Sequence, residues 1–228
     1  MSKNTVTKTG TSAPAGPGTI AQHAVEGLRR ALISGDLCPG DKIGQEQIAD
    51  SLGISVAPVR EALAVLEKEG QVTYLPRRGY FVTELDISDL QEIYELRAPL
   101  EERAVRRTLP LLEDDALERL TIAARECVEA VDAADIAAEL EANRRFHFGL
   151  LESPGQHHTL RLIHLLWDST ETYRAMYYNA PEARHEAIEA HDRIVAAARD
   201  HDADRLVLEL GDHRGQALVR LEAILSAG

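Results

Sequence analysis

The sequence predicts a mainly α protein: an N-terminal winged helix-turn-helix followed by an all-helical antiparallel bundle. Three observations carry this. Residues 41–70 read as two short helices around a sharp turn. Residues 71–83 hold two β-prone runs around a basic turn. From Asp86 onward apolar residues recur at helical spacing with no convincing strand.

Residues 1–18 come first and are rich in Gly, Ser, Thr, Ala and Pro, the composition of a disordered tail. They lack the apolar core of a signal peptide. Ile20, Ala24, Leu28, Leu32 and Ile33 then form a helical stripe that stops at the Gly35–Gly40 loop. Ile43, Ile48, Leu52, Val59, Leu63 and Leu66 serve the next two helices. Between them Gly53 can take the left-handed conformation that ends a helix, and Ser55 is suited to start the second. Pro58 is tolerable in a first helical turn. Gln71–Leu75 and Tyr80–Thr83 flank Pro76, Arg77, Arg78 and Gly79, which gives a hairpin with a basic tip. The first domain is therefore set at residues 19–83.

A helix-turn-helix places its second helix, here the one that Ser55 opens, in the major groove of double-stranded DNA. Composition alone would not name that partner, because the 228-residue chain carries a net charge of −13. Residues 84–228 hold 16 basic against 30 acidic side chains, so the acidity lies mostly beyond the first domain. Gln45, Gln47, Ser55, Val56, Ala57, Arg60, Arg77, Arg78 and Gly79 are the candidate DNA contacts. Arg60 could instead be a surface arginine paired with Glu61 or Glu67.

The stretch resembles the GntR family of bacterial transcription regulators. Leu28, Ile33, Gly35, Leu37, Pro39-Gly40, Ile48-Ala49, Leu52-Gly53, Ser55, the run from Pro58 to Leu63, Leu66, Gly70, Gly79 and Val82 carry the likeness. One position departs: the family usually has Arg after the serine that opens the recognition helix, and this chain has Val56. Arg there can read guanine bidentately, whereas Val cannot. The expected operator therefore lacks that guanine contact.

Residues 84–228 make the second domain. Six helices can be drawn, near 86–108, 113–132, 135–152, 156–179, 182–200 and 203–226. Glu113-Asp114-Asp115, Asp135 and Asp202 or Asp204 mark starts. Pro110, Ser153-Pro154-Gly155 and Ala180-Pro181 mark breaks, and Pro99 predicts a kink within the first. Polar residues interrupt the apolar stripes. Asn143 and His147 share one face of the third helix, His191 lies inward on the fifth and His213 on the sixth. Each histidine alone could be a hydrogen-bonded core residue. Three neutral imidazoles converging from three helices suit a divalent transition metal: zinc, nickel or manganese.

Arg97 lies on the inner stripe of the first bundle helix, and Thr170 and Arg174 on that of the fourth. A buried guanidinium needs an anion. Glu101, Glu95 or Glu171 could supply it internally, or a small carboxylate effector could.

This half resembles the FCD effector domain of the FadR branch of the same family. Metal-binding members have an acidic residue four before a histidine and two more histidines on the last two helices. His147, His191 and His213 match those positions, the last two 22 positions apart. Asn143 stands where many members have Asp, and an amide oxygen is a weaker ligand. The resemblance implies a homodimer on an inverted-repeat operator, a repressor that senses a small organic acid, and no enzyme activity. The alternative is a metal-dependent hydrolase in which the three histidines activate water. Against it, no inward carboxylate stands clearly as a general base. A purely architectural DNA binder would leave the polar residues of the bundle unexplained.

Only two cysteines occur, Cys38 and Cys127, without metal-ligand spacing, and no run reaches the length of a membrane span. A cytoplasmic protein without a membrane partner is expected.

Overall fold

In the computed structural model, residues 17–84, 86–178 and 181–227 are described, with side chains except at 17–19, 175–178, 181–187 and 227. The tail expected over 1–18 lies outside these residues, apart from Pro17 and Gly18, which open the first helix.

The first domain is built from α1 (Pro17–Ser34), α2 (Gln45–Leu52), α3 (Val56–Lys68), β1 (Val72–Leu75) and β2 (Gly79–Val82). Gly53 ends α2 at φ 66°, ψ 32°, the left-handed conformation that only glycine adopts without strain. Ser55 occupies the N-cap of α3 with extended backbone, but its side chain makes no capping hydrogen bond. Leu28, Val59, Leu63 and Leu66 are fully buried and join the three helices. The strands pair antiparallel, Val72 with Val82 and Leu75 with Gly79. Their loop follows type II logic, with Pro76 followed by Arg77 at φ 65° and an Arg78 N–H to Leu75 carbonyl bond of 3.0 Å.

A third short edge, which no local pattern in the sequence marks, pairs Lys42 with Phe81. The Gly40 N–H donates to Val82 O at 3.0 Å, Val82 N–H to Asp41 O at 2.9 Å, and Ile43 N–H to Tyr80 O at 2.9 Å. The segment before α2 thus pairs with β2 and fixes the wing to the helices.

The bundle comprises α4 (Ile87–Thr108), α5 (Asp114–Asp132), α6 (Ile136–Leu151), α7 (His157–Asp168), α8 (Glu171–Tyr178), α9 (Pro181–Arg199) and α10 (Ala203–Ala227). Starts follow the acidic residues. Asp86 caps Ser88 N–H at 2.7 Å, Asp135 caps Ala138 N–H at 3.0 Å and Asp202 caps Arg205 N–H at 3.0 Å. α4 runs through Pro99 without interruption. Leu120, Phe146, Leu150, Ile163, Ile194 and Leu206 lie in the main core.

One expected helix is two. The run predicted over 156–179 breaks between α7 and α8 at Ser169-Thr170. The Ser169 hydroxyl donates to Leu166 O at 2.9 Å and that of Thr170 to Trp167 O at 2.9 Å. The Thr170 N–H also turns to Trp167 O, three residues back, at 3.1 Å. Side-chain hydroxyls competing for backbone acceptors favour such a break. Cys38 and Cys127 are both free thiols.

Candidate metal centre and nucleic-acid interface

α6, α9 and α10 bring His147, His191 and His213 together. One ring nitrogen from each can be chosen so that all lie within 4.8 Å of one another. Ring centroids are 5.6 Å apart for His147–His191, 5.2 Å for His147–His213 and 5.0 Å for His191–His213. The i,i+4 spacing puts Asn143 one turn before His147, and its buried Oδ1 has no hydrogen-bond partner. Neither ring nitrogen of buried His191 has one. Buried polar atoms are seldom left so, and three imidazoles with an amide oxygen form a donor set for a transition metal. The residues fit such an ion, since small rotamer changes would gather the nitrogens to the roughly 2 Å bonds it needs.

Asn143, His147 and His213 line a cavity of about 50 Å³, together with Arg97, Arg174, Arg214, Glu101, Tyr94 and Trp167. His191 lies one layer deeper, 4.1 Å from the Phe146 ring and tilted 32° to it. Arg97 is not bare. Its Nε and a terminal nitrogen both reach Glu101 Oε1 at 2.8 Å, the internal pairing that the sequence left open. Arg214 holds the other Glu101 oxygen, so two guanidinium groups share one carboxylate. Arg97 also lies 4.4 Å from the centre of the Trp167 ring. Arg174 donates to Trp167 O at 3.0 Å and to Thr170 Oγ1 at 2.6 Å. Thr170 is therefore a support for Arg174 and is not among the lining residues. Arg214 was not singled out from the sequence, although it directly follows His213.

All three imidazoles are held below the ordinary histidine pKa. Burial is the main cause for His147, with repulsion from His213 and His191 next. His191 is lowered by burial and then His213. His213 is pushed down to about 4 by burial, which outweighs the opposing pull of Glu101. The rings are thus neutral at pH 7, the form that binds metal. The unfolded chain takes up these protons near pH 6.5, while the folded chain resists them until the pH is much lower. Stability of the metal-free protein is then fully present above about pH 6.5 and is lost as pH falls toward about 4. Each histidine contributes at most about 1.4 kcal/mol per pH unit. The melting temperature should fall through this window, and His213→Asn should flatten the fall. An equal slope for the variant would contradict this assignment.

On the first domain, Gln47, Ser55, Ala57, Arg60, Arg77 and Arg78 are exposed. Arg60 Nε donates to Gln45 Oε1 at 2.9 Å, joining two candidate contacts across α2 and α3. The Arg78 guanidinium lies 5.1 Å from the Phe81 ring centre. Gly79 is half-buried at the start of β2. Val56 is half-buried and packs against the core of this domain. A valine at that position therefore packs the start of α3 onto the core.

Known proteins agree with both halves. Residues 20–82 match the family of bacterial regulatory proteins called gntR, and residues 92–215 match the FCD domain. The HTH-type transcriptional regulator YdhC of Bacillus subtilis is 27% identical over 205 residues, covering 88% of this chain and 90% of that protein. The HTH-type transcriptional repressor GlaR of Escherichia coli is 26% identical over 188 residues, covering 78% and 84%. The solved structure of E. coli McbR/YncC superposes with a TM-score of 0.78 at 25% identity, covering 90% of this chain and 97% of that one.

Proposed function

The chain belongs to the gntR family of bacterial regulatory proteins, with an FCD domain behind its DNA-binding domain, and from that premise we propose a metal-assisted sensor of a small carboxylate. The family makes it a transcription regulator, not an enzyme. In this reading it is a cytoplasmic homodimeric repressor. One recognition helix covers half a site, so two symmetric copies bind an inverted repeat. Exposed Arg60, Arg77 and Arg78 supply positive charge to that DNA face.

His147, His191 and His213 would hold zinc, nickel or manganese, with Asn143 as a weak fourth donor. The ion supplies a positive charge to which a carboxylate can bind. Arg97 and Arg174, in the same cavity, orient the acid, and Glu101 keeps the Arg97 fork fixed. The observation that carries this reading is the cluster of unpartnered buried donors: both nitrogens of His191 and the oxygen of Asn143. Effector binding alters DNA affinity only if the two arrangements of the protein bind the effector differently.

The test is calorimetric titration of zinc into chelator-treated protein. Asn143→Asp replaces a neutral donor with a charged one and should tighten zinc binding by about tenfold or more. Equal affinity in the two proteins would remove Asn143 from the ion's surroundings.

A further inference from the structure

The two sides of the α7–α8 junction are committed to different partners. On the bundle side, Arg174 holds Trp167 O at 3.0 Å and Thr170 Oγ1 at 2.6 Å, with its guanidinium 4.5 Å from the Trp167 ring centre. Trp167 and Arg174 line the histidine cavity. The same two side chains also line the cleft between α1 and the bundle, where Arg29 and Ile33 face them. They are the partition between cavity and cleft.

On the other side, Glu171 Oε2 accepts from Gln71 Nε2 at 3.0 Å and lies 3.8 Å from Arg29 Nε. Gln71, only 2% exposed, divides its amide between Glu69 of its own domain at 3.2 Å and Asp168 O of the bundle at 3.5 Å. A terminal nitrogen of Arg29 completes the set by holding both Glu69 oxygens at 2.8 Å. Two residues past Glu171, the Tyr173 hydroxyl accepts from Asp86 N–H and donates to Asp86 O, each at 2.8 Å. Asp86 immediately precedes α4, three residues beyond the first domain. Gly70, whose φ of 77° favours glycine, lies beside Ser169, where an added Cβ would stand in van der Waals contact at 3.4 Å from Ser169 Cβ.

This contact is mostly polar, with Ile33 the apolar component from α1. Polar interdomain contacts exchange readily with water, and domain motion across them is the default expectation. Such a contact can be made and broken without unfolding either domain.

We propose that the segment from Trp167 to Arg174 is the transmission element: occupation of the histidine cavity sets Trp167 and Arg174, and these set whether Glu171 holds the DNA-binding domain and Tyr173 the junction that leads from it into α4. The assignment rests on reading that cavity as the ligand site. It is tested without a ligand, by amide hydrogen exchange on the full chain. Asp86 N–H is the reporter because its acceptor is the Tyr173 hydroxyl.

Arg174→Met removes the grip on Trp167 and Thr170 from the cavity side. It should speed Asp86 exchange about tenfold while amides in the α3 core stay as they were. Glu171→Gln should loosen the same reporter from the DNA-binding side. The double variant should match the larger single effect, because both act through one contact. Arg174→Lys, which keeps the charge and stem, guards against a folding defect and should give a smaller rise. Wild-type exchange at Asp86 in both Arg174 variants, or effects that simply multiply in the double variant, would overturn the proposal. Zinc alone, read as a thermal shift of the wild type, tests the site reading separately. Absence of a shift would refute the metal, while the Arg174 result would still decide the transmission.

Discussion

Zinc, nickel or manganese at saturating concentration should raise the melting temperature of chelator-treated protein, and His191→Ala should abolish the rise. A ligand that binds only the folded state at a hundred times its Kd contributes about 2.7 kcal/mol, or about 5–10 °C for a chain of this size. His191 is the decisive residue because both of its ring nitrogens are buried without partners. In a purely structural histidine one nitrogen normally has a hydrogen bond. His147 and His213 face a cavity shared with arginines, so their loss would disturb more than the ion. His191 sits behind them on Phe146, away from the lining. An equal rise for the variant, or none for either protein at millimolar metal, would leave the triad as core packing. Arg97 and Arg174 would then hold any acid unaided.

The second large effect is expected at Arg60. Its Nε is engaged by Gln45 Oε1 at 2.9 Å, and no partner among the described residues takes its terminal nitrogens. The guanidinium is therefore held by one edge while the two-pronged edge remains for a base or phosphate. Fixing a side chain before binding reduces the ordering cost of association. Arg60→Ala should weaken operator binding by about 1–3 kcal/mol, roughly five- to 150-fold, if it reads a base. If it holds a phosphate, affinity should fall evenly across sequences and the salt slope should shrink by about one. Unchanged affinity in an anisotropy titration would exclude both roles. Gln45→Ala should have a smaller effect, since it removes only the brace.

The DNA-binding half was legible from local pattern. Gly53, Ser55 and the apolar spacing of α3 are short-range signals, and the basic turn at Arg77-Arg78 follows Pro76 with a left-handed residue. The histidines were legible because each sits at helical spacing on an apolar stripe, so three faces could be inferred to meet. Contacts between distant segments carry no such signal. Gln71 reads as an ordinary residue at a strand start, yet it is buried because the bundle covers it. Ile33 continues the α1 stripe, but it packs with Leu90, Tyr94 and Tyr173 of the bundle. The α7–α8 break was hidden because helical periodicity persists across Ser169-Thr170, while the hydroxyls that end α7 are only weak breakers. Arg214 escaped notice because Glu101, its partner, lies 113 residues away.

The proposed function requires that DNA affinity be governed by what occupies the histidine cavity. Its most direct test uses an operator selected from randomised inverted repeats. Binding is measured by anisotropy with zinc-loaded protein against a panel of mono-, di- and tricarboxylates. At least one acid should change operator affinity by about tenfold, the usual scale of allosteric coupling. His191→Ala should bind the same operator but ignore that acid. Operator affinity indifferent to every acid, or a response that survives His191→Ala, would contradict the claim.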